Sequence, residues 1–152
     1  MFINFFKIIF LLLANLTLAQ DFNVRNNPAL VSIIPSNGIF LVEENYYFGV
    51  KIELKKGWKT YWKNPGDAGA PITIEFNDTS IENKLKVLFP FPEKFTDHGV
   101  STIGYESQVI FPVRIQKNEI DKINEKINLD YLVCKDICIP ISETKNLKLN
   151  LQ

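Results

Sequence analysis

The chain has 152 residues, 17 basic and 17 acidic side chains and a formal net charge of zero, a balance that leaves no electrostatic footprint for nucleic acid. Twelve Phe, five Tyr and two Trp, within a 46% hydrophobic composition, exclude a disordered chain and point to a packed core.

Taken in chain order, the first element is a targeting signal. Residues 1–7 carry one Lys and no acid, 8–14 are apolar, and Thr17-Leu18-Ala19 offers the small residues of a cleavage site. This is the three-part pattern of a secretory signal peptide. The run 8–19 contains Asn15 and is shorter than the roughly 20 apolar residues of a membrane span. Cleavage after Ala19 is therefore expected, leaving residues 20–152 as a single exported domain with no membrane span. That mature chain keeps 16 basic and 17 acidic residues, because Lys7 leaves with the signal.

The mature chain reads as β almost throughout. Residues 29–34 form a short apolar run ended by Pro35-Ser36-Asn37-Gly38. Over 46–54, Tyr46, Phe48, Val50, Ile52 and Leu54 alternate with Tyr47, Gly49, Lys51 and Glu53, the period of a half-buried strand. Lys55-Lys56-Gly57 turns the chain into an aromatic, strand-like stretch at 58–63, whose Trp58, Tyr61 and Trp62 are expected to pack in the core and at the sandwich edge. Residues 64–71 are dense in turn formers and should not continue a central strand. Further strands are expected at 72–76, 86–91, 109–115, 127–133 and 147–151, with a brief helical turn at 118–126. Short strands separated by turn signals, with no repeat and no linker, predict an all-β, antiparallel β-sandwich.

The only two cysteines are Cys134 and Cys138, in Tyr131-Leu132-Val133-Cys134-Lys135-Asp136-Ile137-Cys138-Ile139-Pro140. An exported chain with an even cysteine count permits a disulfide. As a structural staple it is weak, since in the chain-entropy account a loop of about five residues contributes roughly 2 kcal/mol, against over 4 for a loop of about a hundred. The spacing alone leaves a staple and an exchangeable disulfide both open. It is not a Cys-x-x-Cys opening a helix, so any activation of a thiolate must come from neighbours such as Lys135, with Asp136 opposing. A third reading adds His98 to the two thiolates as ligands for zinc or copper. The single His and the loss of Met1 with the signal peptide argue against it, so neither metal nor cofactor is expected. His98, beside Gly99, reads as a surface loop residue.

At this point the residues resemble a known family. The block Gly57-Trp58-Lys59-Thr60-Tyr61-Trp62-Lys63-Asn64-Pro65-Gly66-Asp67-Ala68-Gly69-Ala70-Pro71 is similar to a segment of the N-terminal periplasmic domain of the DsbD and suppressor-of-copper-sensitivity B proteins. Phe89-Pro90-Phe91-Pro92, Asp97-His98-Gly99, Gly104-Tyr105-Glu106 and Val109-Ile110-Phe111-Pro112-Val113 fit the same domain. So do residues 131–140 with their Cys-x3-Cys, and the likeness runs from about Val31 to the C-terminus.

The resemblance implies an immunoglobulin-like fold with the two cysteines on neighbouring strands. It implies chemistry of the protein-disulfide reductase type in the periplasm. Electrons come from a membrane-embedded thiol–disulfide transporter by way of a thioredoxin-like module, and pass to thioredoxin-fold redox proteins. Cys134 and Cys138 would be the catalytic pair, with partners reaching Cys138 and Cys134 resolving. A loop caps the pair in the family, which maps to residues 95–105. Two departures stand out. The chain ends at Gln152 without the membrane and thioredoxin domains of full-length relatives, so membrane coupling within one chain is not expected and coupling to a separate protein stays open. Its cysteine spacing is also narrower than that of DsbD, nearer the suppressor-of-copper-sensitivity branch. The alternative function is a non-enzymatic immunoglobulin-like binding module with a permanent disulfide.

Overall fold

The computed structural model describes residues 27–34, 40–77, 85–116 and 122–150; the expected signal peptide at 1–19 lies outside them. Eleven strands occur among the described residues: β1 (Ala29–Ile34), β2 (Phe40–Val42), β3 (Asn45–Leu54), β4 (Lys59–Gly66), β5 (Thr73–Phe76), β6 (Leu85–Val87), β7 (Glu93–Asp97), β8 (Val100–Glu106), β9 (Gln108–Gln116), β10 (Lys122–Cys134) and β11 (Cys138–Asn150). The period-2 pattern explains the first sheet directly. β3 buries Tyr46, Phe48, Val50, Ile52 and Leu54, the apolar face that alternation names. β1 pairs one edge of β3, Ala29 opposite Leu54, and β9 pairs the other, Val50 opposite Phe111. With β6 beyond β9 and β2 also on β3, this makes a five-stranded sheet in the order β1-β3-β9-β6. The second sheet has six strands in the order β11-β10-β4-β8-β7, with β5 on β10.

Every strand pairing is antiparallel. The inner faces of the sheets meet in one core. Phe48, Phe111, Val113 and Ile115 of the first sheet and Ile127, Leu129 and Val133 of the second are almost wholly removed from water. At one end Phe111 takes Phe89 and Tyr105 edge-on, each with ring centroids 5.4 Å away, the offset arrangement aromatic quadrupoles favour. The Tyr105 hydroxyl donates to the Pro90 carbonyl at 2.9 Å. The molecule is thus the expected immunoglobulin-like β-sandwich.

Several local expectations are corrected. β4 runs through Asn64 and Pro65 to Gly66, where a turn is expected. The β4–β8 ladder breaks between Tyr61 and Gly66, so Pro65 lies where no ladder N–H is needed and its lack of a donor costs nothing. Trp58 stands just before β4, outside the strand. The strand expected at 86–91 shrinks to β6, and Leu88 to Pro92 run without regular pairing. Residues 122–126 extend β10 rather than forming a helical turn; 117–121 lie outside the described residues. β11 starts at Cys138, well before the expected 147, because it copies the register of β10 along its whole length. The short β2 and the β7–β8 hairpin have no counterpart in the sequence reading.

Candidate functional site

Strand pairing, not proximity in the sequence alone, places the cysteines. β10 and β11 are a long hairpin in which Cys134 and Cys138 are the last register pair. Lys135, Asp136 and Ile137 form the loop, closed by a Lys135 N–H to Ile137 carbonyl hydrogen bond of 3.0 Å. The two Sγ atoms are joined in a disulfide across a Cα–Cα separation of 4.1 Å. The environments of the two halves differ. Cys134 is 6% exposed, whereas Cys138 and the loop are exposed, Ile137 by 66%. The Cys138 half of the pair is thus the more open to solvent.

Period 2 along β10 explains why Cys134 is outside the main core. Ile127, Leu129, Tyr131 and Val133 point into the sandwich, and Cys134, one residue on, points to the outer face. There it meets β4, whose Lys59 is its direct register partner. Tyr61, two residues along, shares that outer face and is 4% exposed. The 64–71 block covers it: a Cβ on Gly69, whose φ is 102°, would fall 2.4 Å from the Tyr61 ring. Tyr61 is buried as expected, but on the outer face beside the disulfide rather than in the cluster between the sheets. Trp58 and Trp62, by contrast, are partly buried against the core as expected.

A cavity of about 440 Å³ brings Lys59, Tyr61, Asp97, His98, Cys134 and Cys138 together. Asp97 and His98 come from the β7–β8 hairpin, where His98 and Gly99 take φ values of 51° and 84° and turn the chain. That hairpin is tied to β4 by charge. Lys59 Nζ lies 2.5 Å from Asp97 Oδ2 and 4.4 Å from the centre of the Phe95 ring. Burial, helped by the Asp97 carboxylate, pushes the Tyr61 phenol above its ordinary value. On the loop side, Lys135 and Asp136 also line the cavity.

The fold therefore assembles more than the sequence reading selected. Cys134 and Cys138 stand together as expected. His98, read as a surface loop residue, is exposed but lines the same cavity. Residues 95–105, mapped by resemblance to a cap, fall within the β7–β8 hairpin, whose turn lines the same cavity as the cysteines. Asp67 is held elsewhere: its N–H donates to the Ser101 carbonyl and its carboxylate accepts from the Ser101 N–H, both at 2.9 Å. Lys59, Tyr61 and Asp97 were missed as a group. Their signal lies in the β4–β10 register and the β7–β8 turn, neither of which a single sequence displays.

Residues 33–150 match the family described as thiol:disulfide interchange protein DsbD, N-terminal. No curated protein matches the chain. Among solved structures, the N-terminal periplasmic domain of ScsB from Proteus mirabilis is similar, with 26% identity and a TM-score of 0.67, over 82% of this chain and 47% of that one. The chain thus spans about half the length of that solved chain. The reduced N-terminal domain of Neisseria meningitidis DsbD also matches, at 14% identity and a TM-score of 0.49, over 79% of this chain and 85% of that one. With the match covering residues 33–150, the chain belongs to the family of the DsbD N-terminal domain.

Proposed function

We propose that this chain is a periplasmic thiol–disulfide exchange module, with Cys134 and Cys138 as its catalytic pair. It would take two electrons from a membrane-linked thiol donor and give them to thioredoxin-fold partners. The observation that carries the reading is the asymmetric disulfide at the tip of β10–β11, one half exposed and the other buried. Membership of an interchange-protein family supports it. Residues 1–19 would act as the export signal, and the β7–β8 hairpin as the cap a partner displaces.

The exposure of Cys138 and the burial of Cys134 support the following order of attack. A donor thiolate attacks Cys138 Sγ in line with the S–S bond. That bond breaks, its electron pair leaves on Cys134 Sγ as a thiolate, and a mixed disulfide joins Cys138 to the donor. The donor's second thiolate then attacks its own sulfur in that bond and releases the Cys138 thiolate. The domain is reduced by two electrons and the donor dithiol is oxidised to a disulfide. The reverse sequence passes the electrons on, with Cys138 attacking an acceptor disulfide and Cys134 resolving.

The test uses a thioredoxin whose one remaining active-site cysteine carries a thionitrobenzoate leaving group. Cys134→Ala is expected to accumulate a covalent adduct through Cys138 on a non-reducing gel, and Cys138→Ala to accumulate much less. If neither variant forms an adduct, and the wild-type disulfide resists reduction until the protein unfolds, the pair is a structural staple and the binding-module reading replaces this one. If Cys138→Ala traps better, the exchange function stands and the two roles are reversed.

A further inference from the structure

The exchange reaction proposed above makes a demand that the disulfide itself does not meet. Attack at Cys138 sends a negative charge to Cys134, which is 6% exposed. A thiolate in such a place is costly unless a cation compensates it, and the leaving sulfur departs faster the better its thiolate is stabilised. The charged groups around the cavity are Lys59 on β4, Asp97 on the β7–β8 turn, and Lys135 and Asp136 in the cysteine loop; His98 adds an imidazole and Tyr61 a phenol.

Two cations compete for the role. The Lys135 side chain lies across the Lys55–Gly57 turn, its Cε 3.3 Å from where a Cβ on Gly57 would sit, and its residue is exposed. Lys59 is the direct cross-strand partner of Cys134. Directly opposed residues put their side chains on the same face, with Cβ atoms about 5 Å apart. The Lys59 side chain is only 19% exposed, so water screens it less than it screens Lys135. While the disulfide is closed and neutral, the counter-charge for Lys59 comes from Asp97 at 2.5 Å, whose side chain is 62% exposed.

We propose that Lys59 is the residue that stabilises the Cys134 thiolate, and that Asp97 competes with that thiolate for it. In the oxidised protein the Lys59–Asp97 pair fastens the β7–β8 hairpin beside the disulfide. When the S–S bond breaks, the new anion on Cys134 takes over Lys59, and Asp97, already largely in water, is released with the turn that carries it, while β8 stays paired to β4. Freeing the Asp97 turn and stabilising the leaving group are then one event, performed by one ammonium, which keeps aside a cap that the partner has begun to displace. No proton is consumed in the hand-over, because the leaving sulfur departs as an anion.

The inference rests on the exchange reading, and the experiment separates the two. In the Cys138→Ala protein, the pH at which the Cys134 thiolate absorbance half-develops is measured for four backgrounds. Lys59→Met is expected to move that midpoint up by about one pH unit or more, the scale of losing a close opposite charge. Lys59→Arg is expected to restore it, Asp97→Asn to move it down, and Lys135→Met to shift it less than Lys59→Met. In the two-cysteine protein, Lys59→Met should slow reduction by dithiothreitol a few-fold at neutral pH, since the rate follows only a fraction of the thiolate shift. An unmoved midpoint in Lys59→Met, a failure of Lys59→Arg to rescue, or a larger shift in Lys135→Met overturns the assignment. Should Lys59→Met not fold, Asp97→Asn decides alone: an unmoved or raised midpoint sinks the proposal. A wild-type disulfide that resists dithiothreitol in the folded state sinks the exchange reading, while the titration still decides the role of Lys59.

Discussion

Single residues carry more of the core than their types suggest. Tyr131 is an apolar core position by pattern, yet its hydroxyl donates to Glu143 Oε1 at 2.6 Å, and Glu143 in turn accepts from Lys145 at 2.7 Å. Burial first, then the bond to Glu143 and its negative charge, raise the Tyr131 phenol well above the ordinary 10.0. Burial likewise pushes Tyr105 up to about 12. A raised folded value means that the fold prefers the protonated phenol. Its contribution to stability is fully present below about pH 10 and is lost as the pH climbs from there toward the folded value. Denaturant titrations are therefore expected to show stability falling above about pH 10. Tyr131→Phe should lower stability by about 1 kcal/mol at neutral pH, the net worth of one hydrogen bond, and make the alkaline fall shallower. An unchanged alkaline slope in Tyr131→Phe would assign the effect to the other tyrosines.

At the scale of elements, β4 runs past the bounds read from the sequence, and β4 positions the site. It is joined to β10 by one register pair, Lys59 with Cys134, and by the Thr60 hydroxyl donating to the Leu132 carbonyl at 3.0 Å. Its other edge approaches β8 so closely that a Cβ on Gly104 would lie 2.0 Å from the Thr60 carbonyl oxygen. Gly104→Ala must push the two backbones apart. A loss of about 3 kcal/mol is expected, read as a lower denaturant midpoint with an unchanged slope. An effect below about 0.5 kcal/mol, the range of ordinary surface changes, would show that β4 can shift freely. The alternation over 46–54 made β3 legible, and β9 and the core half of β10 followed from the same rule. β7 and β8 were not, because their residues are mostly exposed or half-buried and lack a clean apolar face. The pairing of β11 from Cys138 onward was hidden for the same reason, since 138–146 alternates between exposed and half-buried positions.

For the whole molecule, the disulfide is local and the core is not. Cys134 and Cys138 close a loop worth roughly 2 kcal/mol in the chain-entropy account, while the buried side chains of both sheets hold the domain together. The reduced domain is expected to stay folded, with a β-type far-UV circular dichroism spectrum like that of the oxidised form and a stability lower by about 2 kcal/mol. Unfolding on reduction would make the disulfide structural. What the sequence determined by itself was the fold class, the main core strands, the cysteine pair and the family, because alternation, turn residues and a distinctive cysteine motif are local signals. The company the cysteines keep is set by the packing of the folded chain. Lys59, Tyr61, Asp97 and His98 reach them from three separate strands and turns, and which of two cysteines is exposed depends on what packs over each. Register between distant strands is set by the summed fit of all the side chains on both faces, and no short stretch of the sequence contains it.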